Sequence, residues 1–269
     1  MAFVITLVIL LALAAFLTAP NMKRSRMARW RGQRFAHRGL HDAAQGVVEN
    51  TLPAFDAACR ADYGIELDIQ FTADGEVVVF HDDDLRRLAG DKRMVRDVTL
   101  DELRGMPLSG FESARVPTLN EVLSCVNGRV PLLIELKNGK RNADLCRALM
   151  EKLADYSGEY IVESFNPLIV MWFRRHAPQV VRGQLVCGMK GYRETVGPVP
   201  AFCMAALLFN AFARPDFVAY DANDARFHTP RFQRTLYHTP LAAWTVRTLP
   251  QAKLAAERDE ICIFEQIRP

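Results

Sequence analysis

The sequence predicts an α/β protein with a (β/α)8 barrel, the TIM-barrel fold, and three observations lead to this prediction. Apolar segments of strand length alternate with helical segments along most of the chain. Eight such strands remain once a short hairpin strand is set aside, and eight is the number that closes a barrel. Acidic and basic side chains stand near the ends of several strands, where barrels of this kind carry their sites. A chain of 269 residues with 50% hydrophobic composition can bury a core of this size.

The strands and helices can be assigned in order along the chain. The predicted strands span residues 34–37, 64–70, 132–136, 160–164, 181–186, 217–220, 242–246 and 261–265. Asn50 or Thr51 caps the first helix of the barrel, and Thr118 caps a helix that begins at Leu119. Further helices are expected after the strands that follow, so strand and helix alternate up to the last strand.

A segment after the second barrel strand interrupts the alternation. Only a turn separates the strand over 64–70 from the apolar run over 77–80, whereas a parallel crossover needs a dozen residues or more. The run over 77–80 is therefore expected to return as a hairpin strand. Because the sequence stays irregular and charged as far as Pro117, we expect 71–117 to be a small insertion carried on the barrel.

The amino terminus is apolar and uncharged. Residues 2–19 carry no charge, and about 20 apolar residues are needed to span a bilayer, so we expect one N-terminal transmembrane helix within a membrane anchor over 1–22. A cleaved signal peptide is the alternative, although no basic region precedes the apolar run. Residues 23–33 are then a basic juxtamembrane linker, and 34–269 form the barrel domain.

The charge pattern predicts an orientation and a set of partners. Because the basic cluster follows the apolar run, the barrel is expected to face the cytoplasm, with the arginines close to anionic headgroups. The position of the cluster beside the anchor already explains it, so no nucleic-acid partner is expected. The six cysteines are widely separated and contain no CxxC pair, which is typical of reduced thiols in a cytoplasmic protein.

The second strand carries two acids on one face. Along 64–70 the apolar residues point to one side, and Glu66 and Asp68 point to the other. Two such acids repel each other unless water surrounds them or a cation lies between them. A solvated edge strand is the simpler interpretation. The cation is favoured by the neighbouring residues, because His37 and Arg38 precede this strand and His81 ends the hairpin run.

Several short motifs occur in a fixed order along the chain. They are His37-Arg38-Gly39, Glu49-Asn50-Thr51, Glu66-x-Asp68, Asp74-Gly75-x-x-Val78-Val79, His81-Asp82 and Ile134-Glu135-Leu136-Lys137. This order resembles the glycerophosphodiester phosphodiesterase family from about Phe35 to the C-terminus, and with the apolar amino terminus it resembles a membrane-anchored bacterial-type member. The resemblance implies a (β/α)8 barrel whose site lies at the carboxyl ends of the strands.

The resemblance also implies a metal site and an acid/base pair. Glu66, Asp68 and Glu135 would be the metal ligands, and three carboxylates suit Mg²⁺ or Ca²⁺, with Mn²⁺ also compatible. His37 and His81 would be the catalytic acid and base, since a side chain with a pKa near 6.5 can take either role at neutral pH.

Other residues are expected to contact the substrate or to orient the site. Arg38 and Lys137 can neutralise the phosphate group. The resemblance assigns Trp244 to packing against the glycerol, although a core aromatic residue at this place is nearly as good an interpretation. Glu49 and Asn50 are candidates for orienting the site, but helix capping alone would explain Asn50.

The sequence departs from the usual family pattern at three positions. Arg247 stands where asparagine is common, Glu265 near the end of the last strand where Thr-Asp is common, and Glu163 where an amide is common. These departures are expected to bear on the alcohol group of the substrate and to leave the metal ligands and the histidines untouched.

The expected activity is metal-dependent hydrolysis of a glycerophosphodiester to sn-glycerol 3-phosphate and an alcohol. The attacking oxygen would be the glycerol C2 hydroxyl or water, and both would use the same residues. A lipid-directed phosphodiesterase of lysophospholipase D or phospholipase C type is the nearest alternative, favoured by the anchor and a second apolar stretch over 199–213. A catalytically inactive, membrane-tethered binding domain is the alternative from another class, but it predicts the loss of a histidine or carboxylate that is present here.

Overall fold

The structure is a computed structural model that describes residues 1–224 and 228–269. Eight parallel strands close on themselves, because the first strand pairs with both the second strand and the last. The predicted (β/α)8 barrel is therefore confirmed. The strands, in chain order, are β1 Arg34–Ala36, β2 Gly64–Phe71, β3 Val77–Val79, β4 Leu132–Leu136, β5 Tyr160–Ser164, β6 Arg182–Val186, β7 Phe217–Asp221, β8 Leu241–Val246 and β9 Ile261–Phe264.

The helices lie between the strands, apart from the first, which precedes β1. They are α1 Ala2–Thr18, α2 Leu52–Arg60, α3 Arg86–Ala89, α4 Leu100–Arg104, α5 Leu119–Val126, α6 Asn142–Lys152, α7 Pro167–His176, α8 Met189–Val196, α9 Pro198–Ala205, α10 Asn210–Ala213, α11 Thr229–Phe232 and α12 Leu249–Glu257. A capping box begins α5, where the Thr118 hydroxyl and the Glu121 carboxylate bind each other's backbone N–H groups. Pro at the first or second position begins α2, α7, α9, α11 and α12.

The hairpin predicted after the second barrel strand is present. Strand β3 runs antiparallel to β2, with Ile69 opposite Val79. The residues that follow β3 form a small apolar core of their own, which includes Phe80, Leu85 and Leu103. This arrangement holds the chain after β3 against the mouth of the barrel, so that His81 comes to lie beside the strand ends.

The floor of the barrel is closed by the segment before β1. Trp30 and Met27 are almost fully buried and pack with Phe35 and Phe217 inside the barrel, at the end opposite to the mouth. Arg26 forms an ion pair of 3.0 Å with Asp216, which precedes β7. The segment over 23–33, expected as a juxtamembrane linker, thus packs against the barrel through Arg26, Met27 and Trp30.

The predicted transmembrane helix is not supported by the structure. Helix α1 ends at Thr18 because Ala19 adopts an extended conformation before Pro20, as residues before proline usually do. Its 17 residues rise about 25 Å at 1.5 Å each, which is less than a hydrocarbon core of about 30 Å. Within the described residues, no helix is both long enough and apolar enough to cross a membrane.

The end of α1 is attached to the floor side of the barrel by hydrogen bonds. The Thr18 hydroxyl lies 2.8 Å from the Tyr237 hydroxyl, and the Thr18 carbonyl accepts from the side chains of Asn210 and Gln233. Tyr237 precedes β8, so these contacts lie at the amino ends of the strands. Helix α1 therefore joins the barrel at the end away from the mouth.

Candidate active site

Three carboxylates meet at the mouth of the barrel. Glu66 and Asp68 project inward from β2, and Glu135 projects from the neighbouring strand β4, where it pairs in register with Asp68. Each side chain offers an oxygen, and these oxygens lie within 4.8 Å of one another. All three residues are buried. The structure therefore brings together the three residues predicted as metal ligands.

The electrostatics of this trio favour a bound cation. Burial, together with the neighbouring carboxylates, raises the pKa of Glu66 well above its usual value, and burial also raises the pKa of Glu135. Burial acts in the same direction on Asp68, but Lys137, His81 and Arg38 outweigh it and hold the pKa of Asp68 far below its usual value. Three hard oxygen donors at this spacing fit a divalent cation of the Mg²⁺, Ca²⁺ or Mn²⁺ type.

Lys137 contacts this trio directly. Its Nζ lies 2.9 Å from Glu135 Oε1 and 3.3 Å from Asp68 Oδ1. Burial opposes the charge on Lys137, but the two carboxylates raise its pKa above the usual value. The ammonium group therefore stays charged at neutral pH beside the trio.

His37 follows β1 and is oriented by a carboxylate. Its Nδ1 lies 3.1 Å from Glu265 Oε2, and its Nε2 lies 3.9 Å from Glu66 Oε2. Burial lowers the pKa of His37, whereas the hydrogen bond to Glu265 opposes that shift. Arg247 donates a hydrogen bond of 3.0 Å to the same Glu265 oxygen. The ring is thus held with Nδ1 toward Glu265 and Nε2 toward the carboxylate trio.

His81, which lines the same cavity, has the same kind of support. Its Nδ1 lies 2.7 Å from Asp82 Oδ1, and Arg87 donates to the other Asp82 oxygen at 2.7 Å. The His81 and Arg87 contacts hold the pKa of Asp82 well below its usual value despite partial burial. Each predicted catalytic histidine therefore bears a carboxylate partner that an arginine holds in turn.

Arg38 and Asn50 hold the inner face of the trio. The Arg38 backbone N–H donates to Glu66 Oε2 at 2.9 Å, and its guanidinium donates to Glu49 Oε1 at 2.7 Å. Asn50 donates to Asp68 Oδ2 at 2.8 Å. The turn after Arg38 requires glycine, because Gly39 has φ of 81° and a Cβ there would lie 2.9 Å from Ala54 atoms. Glu49 and Asn50 therefore lie where the orienting role was predicted.

A cavity of about 390 Å³ connects these groups. On the side away from Arg38, the cavity is lined by Phe165 and Trp244, whose rings meet edge to face with centroids 5.6 Å apart. Trp244, predicted to contact the glycerol, faces the same cavity as His37 and His81. Further lining residues are Glu163, Leu185, Asp221, Asn223, Thr245, Arg247 and Ile263.

Two parts of the site were missed from the sequence. Arg247 and Glu265 were expected to leave the histidines untouched, and this is wrong, because Glu265 contacts His37 and Arg247 contacts Glu265. The closure of the barrel between β1 and β9 brings these residues together. The buried carboxylate of Glu163 is the second part. The position of Glu163 on β5, in register with Glu135 on β4, is the feature that could have identified it.

The structure is a barrel with three buried carboxylates that could hold a cation and two carboxylate-supported histidines at its mouth. Over residues 37–264 the sequence matches the Glycerophosphoryl diester phosphodiesterase family. This chain belongs to that family, which confirms the resemblance seen in the motifs.

Individual relatives agree with this assignment. The chain is 36% identical over 169 residues to the glycerophosphodiester phosphodiesterase of Caldanaerobacter subterraneus, which covers 57% of this chain and 67% of that protein. It is 35% identical over 153 residues to YhdW of Bacillus subtilis, covering 54% of this chain and 62% of that protein. The matched region thus spans less than two thirds of the YhdW relative.

Solved structures share the fold. A phosphodiesterase of Oleispira antarctica, in complex with the product sn-glycerol-3-phosphate, superposes with a TM-score of 0.69 at 20% identity, covering 88% of this chain and 93% of that chain. The glycerophosphodiester phosphodiesterase of Thermotoga maritima gives a TM-score of 0.63 at 24% identity, covering 86% and 93%. At 20% and 24% sequence identity, these similarities show that the barrel fold is shared.

Proposed function

We propose that this protein hydrolyses glycerophosphodiesters to sn-glycerol 3-phosphate and an alcohol, using a divalent cation and two histidines. The observation that carries the proposal is one cavity lined by His37, His81, Glu66 and Glu135, with an Asp68 oxygen within 4.8 Å of oxygens of the two glutamates. Family membership and the product named for the Oleispira antarctica structure support the same reaction.

The charges at the mouth suit an anionic diester. A phosphodiester repels an attacking oxygen until its nonbridging oxygens are neutralised. Arg38 and Lys137 bring two buried positive charges to the trio. A divalent cation, when bound by Glu66, Asp68 and Glu135, supplies further neutralisation at the phosphoryl oxygens. The metal is proposed as Mg²⁺ or Ca²⁺, with Mn²⁺ as a third candidate.

The two histidines divide the proton transfers. His37, whose pKa burial lowers, is suited to be neutral and to accept the proton of the attacking hydroxyl, which comes from glycerol C2 or from water. His81 then donates a proton to the departing alcohol. Where the C2 hydroxyl attacks, the product of this step is a cyclic phosphate, which water must hydrolyse in a second step to give sn-glycerol 3-phosphate. Because Glu265 and Asp82 occupy the Nδ1 side of each ring, the Nε2 atoms are the ones left for the reaction.

The position of the mouth favours a water-soluble substrate over a lipid within a bilayer. The mouth is lined by charged and aromatic residues. Helix α1, whose apolar side chains are exposed, is attached to the floor of the barrel at Thr18. A lipid held at α1 would therefore lie at the end of the barrel opposite to His37 and His81. Glycerophosphocholine is accordingly the first substrate to test, ahead of lysophospholipids.

The catalytic barrel is proposed to work in the cytoplasm. This part of the proposal is supported by the six cysteines, which are all unpaired and widely spaced, as is usual in a reducing compartment.

The test is to follow glycerol 3-phosphate release from glycerophosphocholine with Mg²⁺, Ca²⁺, Mn²⁺ or EDTA. We expect turnover with at least one metal, no turnover in EDTA, and a loss of about 10²- to 10⁴-fold in His37→Ala. His176→Ala, on the exposed end of α7, is the matched control and should keep full activity. Release of choline phosphate or of no product would contradict the proposal, and release from lysophosphatidylcholine alone would favour the lipid-directed alternative.

A further inference from the structure

Glu163 is a buried carboxylate that the proposed mechanism does not use. It projects inward from β5, one strand beyond Glu135, and only 2% of the residue is exposed. It lines the cavity that contains both histidines. Its Oε2 atom is fully enclosed and has no hydrogen-bond partner among the described residues. Native proteins rarely leave such an atom without a partner, so a ligand group is the natural partner here.

The surroundings of Glu163 exclude the phosphate group as that partner. Glu135 and Asp68 are its nearest charged neighbours of like sign, and the ammonium of Lys137 is already bound by those two carboxylates. An anionic phosphate would add repulsion. The phosphate therefore belongs near Arg38, Lys137 and the trio, and an uncharged part of the substrate belongs beside Glu163.

Trp244 supplies a second buried polar atom in the same cavity. Its Nε1 is enclosed and also has no hydrogen-bond partner among the described residues. An indole N–H only donates, whereas a carboxylate accepts. A hydroxyl group can donate to Glu163 and accept from Trp244, so a polyol satisfies both atoms. Phe165, which directly follows β5, packs against the Trp244 ring and forms the apolar wall.

Resting on the proposed function, we propose that Glu163 is a specificity-determining residue that binds the terminal hydroxyl of the substrate's glycerol. The glycerol hydroxyl nearest to phosphorus must lie close to His37 and the trio. Strands β2 and β4 lie between β1, which His37 follows, and β5, which carries Glu163. Glu163 is therefore farther from His37 than the trio is, and the outer hydroxyl of the glycerol is the one that reaches it. Trp244 then covers the glycerol carbons and offers its N–H to the same polyol.

The test compares glycerophosphocholine with 2-hydroxypropyl phosphocholine, which lacks only the terminal hydroxyl. We expect the wild-type protein to prefer glycerophosphocholine by about 10- to 100-fold in kcat/KM, because the analogue leaves the buried carboxyl group of Glu163 without a hydrogen-bond partner. In Glu163→Leu this preference should fall toward 1. Glu163→Gln keeps an acceptor oxygen of the same shape and should retain most of the preference.

The outcomes separate this inference from the function on which it rests. If the wild-type protein hydrolyses glycerophosphocholine but Glu163→Leu slows both substrates equally, Glu163 is structural and the inference is overturned. If Glu163→Leu slows only substrates with a cationic alcohol, tested with glycerophosphoglycerol as the uncharged comparison, Glu163 binds an ammonium group and the inference is also overturned. If the wild-type protein hydrolyses no glycerophosphodiester, the proposed function itself fails. Should Glu163→Leu not fold, Glu163→Ala serves in its place.

Discussion

His37 Nδ1 lies 3.1 Å from the carboxylate of Glu265, although 228 residues separate the two in the chain. Arg247 holds that carboxylate in turn, and Asp82 with Arg87 repeats the arrangement at His81. A carboxylate on Nδ1 fixes the tautomer of a histidine and stabilises its protonated form. The two supports are therefore expected to orient both rings, and Glu265 is expected to set when His37 gains and loses its proton.

Removing the charge of Glu265 is expected to lower the pKa of His37. Burial already lowers this pKa and Glu265 opposes that shift, so Glu265→Gln leaves burial unopposed. The hydrogen bond from His37 holds the pKa of Glu265 at about 2, so the carboxylate is charged at every pH of interest. We expect the limb of the pH–rate profile that belongs to His37 to move to lower pH, and kcat to fall about 10- to 100-fold.

Histidine proton NMR measures the His37 titration directly, and steady-state kinetics measures kcat. Glu257→Gln, on the exposed face of α12, is the control and should change neither. An unchanged His37 titration in Glu265→Gln would show that this contact does not act on the histidine.

Asp82→Asn tests the support of His81. The amide keeps the shape of Asp82 but removes the charge that holds the ring, so we expect kcat to fall about 10- to 100-fold with little change in KM. Asp83→Asn, one residue further on and exposed, is the matched control. Equal effects of the two substitutions on kcat would argue against an orienting role for Asp82.

Cation binding is expected to strengthen as pH rises. The pKa values of Glu66 and Glu135 are raised, so protons occupy these carboxylates at low pH and must leave when a cation binds. Calorimetry with Mn²⁺ in buffers of different ionisation enthalpy measures this proton release. We expect affinity to increase with pH and Glu135→Gln to weaken binding by more than about 100-fold, since even an outer-shell partner is worth about 10- to 100-fold.

Glu151→Gln, on the exposed face of α6, is the control for the calorimetry and should bind Mn²⁺ as the wild-type protein does. Affinity that is independent of pH, or that survives Glu135→Gln, would place the cation elsewhere.

Packing at the floor of the barrel is expected to contribute to the free energy of unfolding and not to catalysis. Trp30 is almost fully buried against Phe35 and Phe217, so Trp30→Ala should lower the free energy of unfolding by about 3–5 kcal/mol. Urea denaturation measures this, with Leu254→Ala on the exposed side of α12 as the control. A loss below about 1 kcal/mol would mean that the segment before β1 packs only loosely against the barrel.

The barrel could be predicted because each strand carries its own local signal. The alternation along β2 separates Glu66 and Asp68 from the apolar residues, and the parallel arrangement then puts Glu135 beside Asp68. The convergence of the trio and His37 follows from strand ends alone, so it was available from the sequence once the fold class was chosen. His81 reaches the mouth through the hairpin strand β3, so its place there does not follow from the barrel strands.

What was missed depends on how the barrel closes and on local chain direction. The contact of Glu265 with His37 needs the pairing of β1 with β9, which no local pattern encodes. The role of Glu163 needs the register of β5 against β4. The attachment of the end of α1 to the barrel was also not predictable, because it depends on the turn of the chain at Ala19 and on contacts with residues distant in sequence.

The most direct test of the account is a crystal structure of the protein grown with Mn²⁺ and sn-glycerol 3-phosphate. The account predicts an anomalous peak between Glu66, Asp68 and Glu135, with the phosphate between His37 and His81 and the glycerol against Trp244. A manganese ion bound elsewhere, or a glycerol 3-phosphate outside the cavity that joins the two histidines, would contradict it.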